Sequence, residues 1–209
     1  MRFCVDLHVH TRRYSPCAET LDPDYLAIAL KKTGLDGLVI AEHDHLWPAE
    51  DIVLLNRSLK DKHIYRGVEV SSSNGHFIVI GLDGLDGIKP GIGIEQLILR
   101  AHSQEAAIIW AHPYLHYGSI PAPLNGTRML PGLHAVEVAS GVTCGKDSVT
   151  TRAMARRMGW AAVGGSDAHF PGQVGCAYTL LTELPENEKH LAWVIRKGRC
   201  AARHRAREK

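Results

Sequence analysis

GLVIAEHDH, residues 37–45, is an apolar run that ends in four ionisable side chains: Glu42, His43, Asp44 and His45. Its apolar residues follow one another without alternating with polar ones, the pattern of a strand buried on both faces. Helical patterns flank it. Before it, LDPDYLAIALKKTGL predicts a helix that Asp22 can cap, Pro23 can start and Gly34 can end, with Leu26, Ala29 and Leu30 as its buried stripe. After it, PAEDIVLLNRSLKDK predicts a second helix. A buried strand between two helices is the repeating unit of a parallel sheet.

The alternation extends outward in both directions. FCVDLHV, IYRGVEV, HFIVIGL, AAIIWAH, LHAVEVAS, WAAVGGSDAH and CAYTLLT read as strands. IEQLILRAHSQE, SVTTRAMARRMG and NEKHLAWVIRKG read as helices, and SSSNG joins two of the strands as a turn. An α/β chain with about seven such units can close into a barrel, with an open doubly wound sheet as the competitor. The length of 209 residues predicts one domain, 1–209, with a core large enough to need no disulfides. The irregular stretch from His116 to Pro131 is long enough to be a functional loop.

Composition is that of a soluble globular protein, with 45% hydrophobic and 22% charged residues. A formal net charge of +2 points to neither a nucleic-acid nor a membrane partner. Five cysteines, odd in number and irregular in spacing, predict a reducing cytoplasm, and no apolar run approaches the roughly 18 residues of a membrane helix. The basic stretch RKGRCAARHRAREK predicts a frayed, solvated end. The oddity is thirteen histidines.

Their placement carries the chemistry. Strand after strand runs out into an ionisable group: His8 and His10, then Glu42 to His45, Glu69, His112, Glu137, and finally Asp167 and His169, while His76 opens the strand after Glu69. In a parallel barrel these ends meet on one face. His8 and His10 project to one side of their strand, because side chains alternate, and can hold one ion; Asp167 and His169 repeat the spacing. Imidazole and carboxylate together suit zinc, iron and manganese, and so many donors exceed the needs of one tetrahedral ion. Two or three ions would turn a bound water into a nucleophile and clamp the attacked and leaving oxygens. Taken singly, His45, His63, His102, His116, His134, His190 and His204 carry little weight as ligands. Glu137 reads either as a partner that holds a ligand's other nitrogen or as a ligand or catalytic group.

In the order DLHVHT, IAEHDH, GVEV, NGHFIVIGL, AHPY and GSDAH, the chain resembles the PHP family, named for polymerase and histidinol phosphatase. The resemblance covers nearly the whole chain and implies a distorted seven-stranded (β/α) TIM-like barrel with a trinuclear metal centre that mostly hydrolyses phosphoesters. It implies that His8, His10 and Asp167 hold the first ion, that Glu69 bridges the first and second, that His76 and His112 complete the second, and that His43 and His169 belong to the third. Where many relatives carry an Asp or His for the third ion, this chain has Ser15-Pro16-Cys17, and Cys17 is the expected replacement. Arg12 or Arg13 beside the pocket can fork onto a phosphate. His45 stands where Thr or Asn is common, so it, or Asp44, is the candidate general acid, and His45 is also a candidate additional ligand.

The expected function is hydrolysis of a small phosphate monoester, such as a nucleotide or sugar phosphate. An exonuclease acting on single-stranded ends, with Tyr14, Tyr114 and Tyr117 as stacking groups, is the enzymatic alternative. A non-catalytic metal-binding module is the alternative from another class.

Overall fold

The computed structural model describes residues 2–113, 132–142 and 145–205, so the 116–131 loop, Tyr114 and Tyr117 lie outside the described residues. The strands are β1 (Phe3–Val9), β2 (Gly37–His43), β3 (His63–Ser72), β4 (Gly75–Ile80), β5 (Ala107–Trp110), β6 (Ala135–Ala139), β7 (Ala161–Gly164), β8 (Ala177–Leu181) and β9 (Cys200–His204). The helices are α1 (Leu26–Thr33), α2 (Ala49–Asn56), α3 (Ile94–Ser103), α4 (Gly145–Met158) and α5 (Glu188–Arg196). They interleave with the strands much as the apolar pattern predicts. Asp22 accepts from the Asp24 amide at the turn leading into α1, and Gly34 ends α1 with a left-handed φ of 67°.

Among the described residues all nine strands form one sheet, in the order β7-β6-β5-β4-β3-β2-β1-β8-β9. The sheet curls into a nearly closed barrel: Val9 of β1 bridges Ala168, just past β7, and the His10 amide donates to the Ala168 carbonyl at 2.9 Å. Two features depart from the expected parallel sheet. β4 runs antiparallel to both β3 and β5, because the Ser73-Asn74 turn is too short for a crossover. β8 and β9 are also antiparallel, on the far side of β1. The second departure corrects the reading of the basic tail, since Cys200–His204 is ordered as a strand by its ladder with β8.

The core follows from this curl. Val39, Ala41, Ile78, Ile80 and Ile109 share one cluster with Leu191 and Ile195 of α5. On the outer face, Leu26 and Leu30 of α1 pack against Leu38, Ile40 and Ile64. Leu97 and Ile98 of α3 share a third cluster with Met154 of α4, Val79 and Val136. Among the described residues no helix is long and apolar enough to cross a membrane.

Away from the strand ends that carry the acids, the His134 Nδ1 accepts from the Ile108 amide at 3.1 Å, and its ring lies 5.3 Å from that of His102. Burial, with His102 and Arg196 adding repulsion, holds His134 down to about 4 from an ordinary 6.5. The unfolded chain therefore binds a proton here that the folded chain refuses, and this residue's contribution to stability is lost as pH falls from 6.5 toward 4. His134→Asn removes that titration. The gap in melting temperature between pH 7 and pH 4.5 should be narrower in the variant, by the equivalent of about 1–2 kcal/mol after allowance for solvent screening.

Candidate metal centre

Glu69, near the end of β3, is the hub. Its carboxylate is fully buried, and imidazoles from β1, β2, β4 and the residues just past β1 and β5 converge on it. His76 Nδ1 and His112 Nε2 lie 3.0 and 2.9 Å from Oε1. His43 Nδ1, His10 Nε2 and His8 Nε2 lie 2.9, 3.3 and 3.4 Å from Oε2. Asp167 joins from beyond β7, with Oδ1 3.2 Å from His10 Nε2 and 3.5 Å from His8 Nε2. The reversal of β4 is what brings His76 here, because residues at its start stand beside the end of β3. Among the described residues four non-glycine residues hold positive φ: His112 (24°) and Asp167 (54°) in the cluster, Asp44 (52°) beside His43, and Glu105 (54°) just past α3. Non-glycine residues rarely adopt such backbone, and it tends to persist where function demands it.

Electrostatics show why the cluster suits cations. Burial opposes charge on the innermost groups, His8, His10, Glu69, His112 and Asp167, yet attraction overrides it there. Glu137, Glu69 and Asp167 hold His8 well above 6.5, while His8, His10, His112 and His43 hold Glu69 well below 4.5. Asp167 is lowered against burial by His8, His10 and His112. Glu69 Oε2 nevertheless makes no aligned hydrogen bond with any of the three imidazoles that face it. A buried carboxylate oxygen facing three imidazole nitrogens without a hydrogen bond to any of them is what a shared divalent ion would satisfy. The donors fall into four compact groups, each within 4.8 Å: His8, His10 and Glu69; His8, His112 and Asp167; His43, Glu69 and His76; and His10, His43 and His169. His43, His76 and His169 are 31%, 24% and 28% exposed, so the centre is open on their side.

A ring of partners orients the donors. Glu137 spans two of them, with Oε1 3.1 Å from His8 Nδ1 and Oε2 accepting from the His112 amide at 2.9 Å. A proton on His8 Nδ1 leaves the Nε2 lone pair facing the hub. Ser15 bridges two more, since its Oγ accepts from the His43 amide at 3.2 Å and sits 3.4 Å from His10 Nδ1. Asp6, fully buried, accepts from the amides of His8, Ser166 and Gly175 at 3.2, 2.7 and 2.8 Å, sewing β1 to the segments after β7 and before β8. Sequence reasoning passed over Ser15 and Asp6, although Asp6 precedes His8 by two residues, the same spacing that relates His8 to His10.

The other expected site residues stand further out. Cys17 is exposed on a short turn and joins none of the four groups; burial, with Glu69 and Asp167 nearby, pushes its thiol up. Asp44 Oδ1 accepts from the Ser71 amide at 2.8 Å. His45 stacks on Tyr14 with ring centroids 3.7 Å apart. Arg13 lies over the Tyr14 and Trp47 rings and pairs with Asp51 at 3.4 Å. Arg12 pairs with Asp22. Glu42 turns away from the hub and accepts from the Thr11 hydroxyl and amide and from Trp47 Nε1.

Gly165 tests how closely this ring is packed. A Cβ there would stand 2.5 Å from His8 Cβ and 2.8 Å from Glu137 Oε1. Gly165→Ala should therefore displace His8, lower stability by about 2 kcal/mol and weaken metal retention about tenfold or more. Thermal melts and metal-competition titrations measure the two effects.

A family profile described as PHP-associated matches residues 150–200. An uncharacterized protein of Methanocaldococcus jannaschii is 30% identical over 188 residues, covering 86% of this chain and 71% of that protein. A two-domain protein of Bacteroides vulgatus, described as containing a predicted PHP-like metal-dependent phosphoesterase, superposes with a TM-score of 0.71 at 19% identity, over 98% of this chain and 65% of that one. The lesion-specific endonuclease EndoQ of Pyrococcus furiosus superposes with a TM-score of 0.66 at 16% identity, over 97% of this chain and 58% of that one. At such identities the two structures share the fold.

Proposed function

Since the chain belongs to the PHP family, we propose that it is a metal-dependent phosphoesterase that hydrolyses a small phosphate monoester at a centre of two or three divalent ions. The observation that carries this reading is the Glu69 carboxylate, buried, with both oxygens facing imidazoles and one oxygen without a hydrogen bond. His8, His10, Glu69, His112 and Asp167 are the inner ligands we assign, with His43, His76 and His169 on the open side. Zinc, manganese or iron held there would supply Lewis acidity toward a phosphoryl group and lower the pKa of water.

The chain's own residues prepare that chemistry. Glu137 and Ser15 contact Nδ1 of His8 and of His10 and so orient the two rings with Nε2 inward. Asp44 ties the end of β2 to the β3–β4 hairpin, which keeps His43 and His76 on facing walls. His45 is the proton donor we assign to the leaving oxygen, with Tyr14 stacked on its ring. Arg13 reaches a phosphate only by leaving Asp51, so its contribution is conditional on that exchange.

A diester substrate is the second reading, favoured by the shared fold of the Pyrococcus endonuclease. One experiment separates the readings: elemental analysis of protein purified without chelator, then turnover of nucleotide monophosphates, sugar phosphates and oligonucleotides with each metal restored. Bound divalent metal and monoester turnover are expected. Turnover of oligonucleotides alone would replace the monoesterase by a nuclease. Tightly bound metal with no hydrolysis of any substrate would make the chain a non-catalytic metal-binding module.

A further inference from the structure

The basic stretch near the end of the sequence plays no part in the centre described above, and the fold gives it a defined location. We propose that the outer face built from α4, β8 and β9 binds the phosphate backbone of nucleic acid, at a surface separate from the histidine-rich centre.

Three observations on this face converge. Arg2, Arg199 and Arg203 line a recess of about 270 Å³ beside β8 and β9, together with Leu180, Leu181 and Ala201. Arg199 stands just before β9, where it pairs with Glu183 at 2.9 Å and lies over the Trp193 ring, and Arg203 lies within the strand four residues on. Arg152 and Arg156 stand one turn apart on α4, where like charges repel. Arg152 adjoins Arg203 and His204, and among the described residues neither Arg152, Arg156 nor Arg203 has a carboxylate within ion-pair distance. Burial and the neighbouring guanidiniums Arg203 and Arg156 push Arg152 down from its ordinary value. A fold gains nothing from crowding guanidiniums without counter-charge, whereas a polyanion laid across them releases its own counterions.

The geometry favours a linear polyanion over a lipid surface. The charges run along β9 and onto α4, and of the apolar residues lining the recess Leu181 is buried and Leu180 and Ala201 are half-buried, so that Val149 is the large apolar side chain α4 exposes among them, too little for insertion into a bilayer. The face is also distinct from the centre. β8 separates β9 from β1, and the residues lining the recess include none of the centre's donors.

The test is fluorescence anisotropy with a labelled single-stranded DNA of about 20 nucleotides, titrated over a range of salt, alongside vesicles containing anionic lipid. Binding at low salt is expected, with a log–log salt slope of about −3 for four phosphate contacts. Arg152→Glu combined with Arg203→Glu should weaken it about tenfold or more and flatten the slope, and Arg152→Gln with Arg203→Gln should do so more mildly. Both double variants should keep the wild-type melting temperature and the wild-type metal content. Absence of DNA binding at low salt, equal binding by wild type and variants, or a preference for vesicles over DNA would each overturn the proposal.

Discussion

Glu69→Gln is expected to remove at least one divalent ion per chain and to lower phosphoesterase activity about a thousandfold or more, while the barrel stays folded. The side chain keeps its shape, and its backbone stays in the ladder opposite His43 and Ile78. What changes is charge. Five imidazoles face this carboxylate within 3.4 Å, and a neutral amide offers them one oxygen and an NH2 group that cannot ligate. Elemental analysis, circular dichroism and turnover on a single preparation give all three readings. A variant that retained full metal and full activity would remove Glu69 from the centre, and the phosphoesterase assignment with it.

Asp6→Asn should be among the most destabilising isosteric changes in the molecule, costing about 3 kcal/mol, or roughly 6–12 °C in Tm. Asp6 is fully buried and accepts from three backbone amides, two on Oδ1 and one on Oδ2. Burial pushes its carboxyl up to about 6, against the stabilising pull of Ser166, Gly175 and His8. An Asn must turn its NH2 toward at least one of those amides, leaving donor facing donor in a buried seam. Because the seam joins β1 to the segments that follow β7 and precede β8, the loss should also loosen His8 and Asp167. Metal retention should then fall together with Tm. An unchanged melt would show that the seam is held by the ladder alone.

The candidate centre was legible in outline because its donors sit where apolar strands end, and a barrel collects those ends. What could not be read was the division of labour among the acids. Glu42, Glu69 and Glu137 occur in similar strands with similar neighbours. Yet one clamps Thr11 and Trp47, one is the hub, and one orients His8 and His112. Ser15 and Cys17 are two residues apart on one turn, and only the serine reaches His10 and His43. The basic tail read as a frayed end because nothing local shows that β8 offers it an unpaired edge.

By itself the sequence determined the elements and their burial, since runs of apolar residues and caps act within a few positions of one another. It also determined which residues stand at strand ends, and so the chemistry available to a centre. Tertiary structure alone decided the reversal of β4 that carries His76 to Glu69, the closure of Val9 against Ala168 and the face each acid presents. Those outcomes depend on registers between strands far apart in the chain, and a shift of one residue in register turns a ligand away from the hub and toward the outer layer.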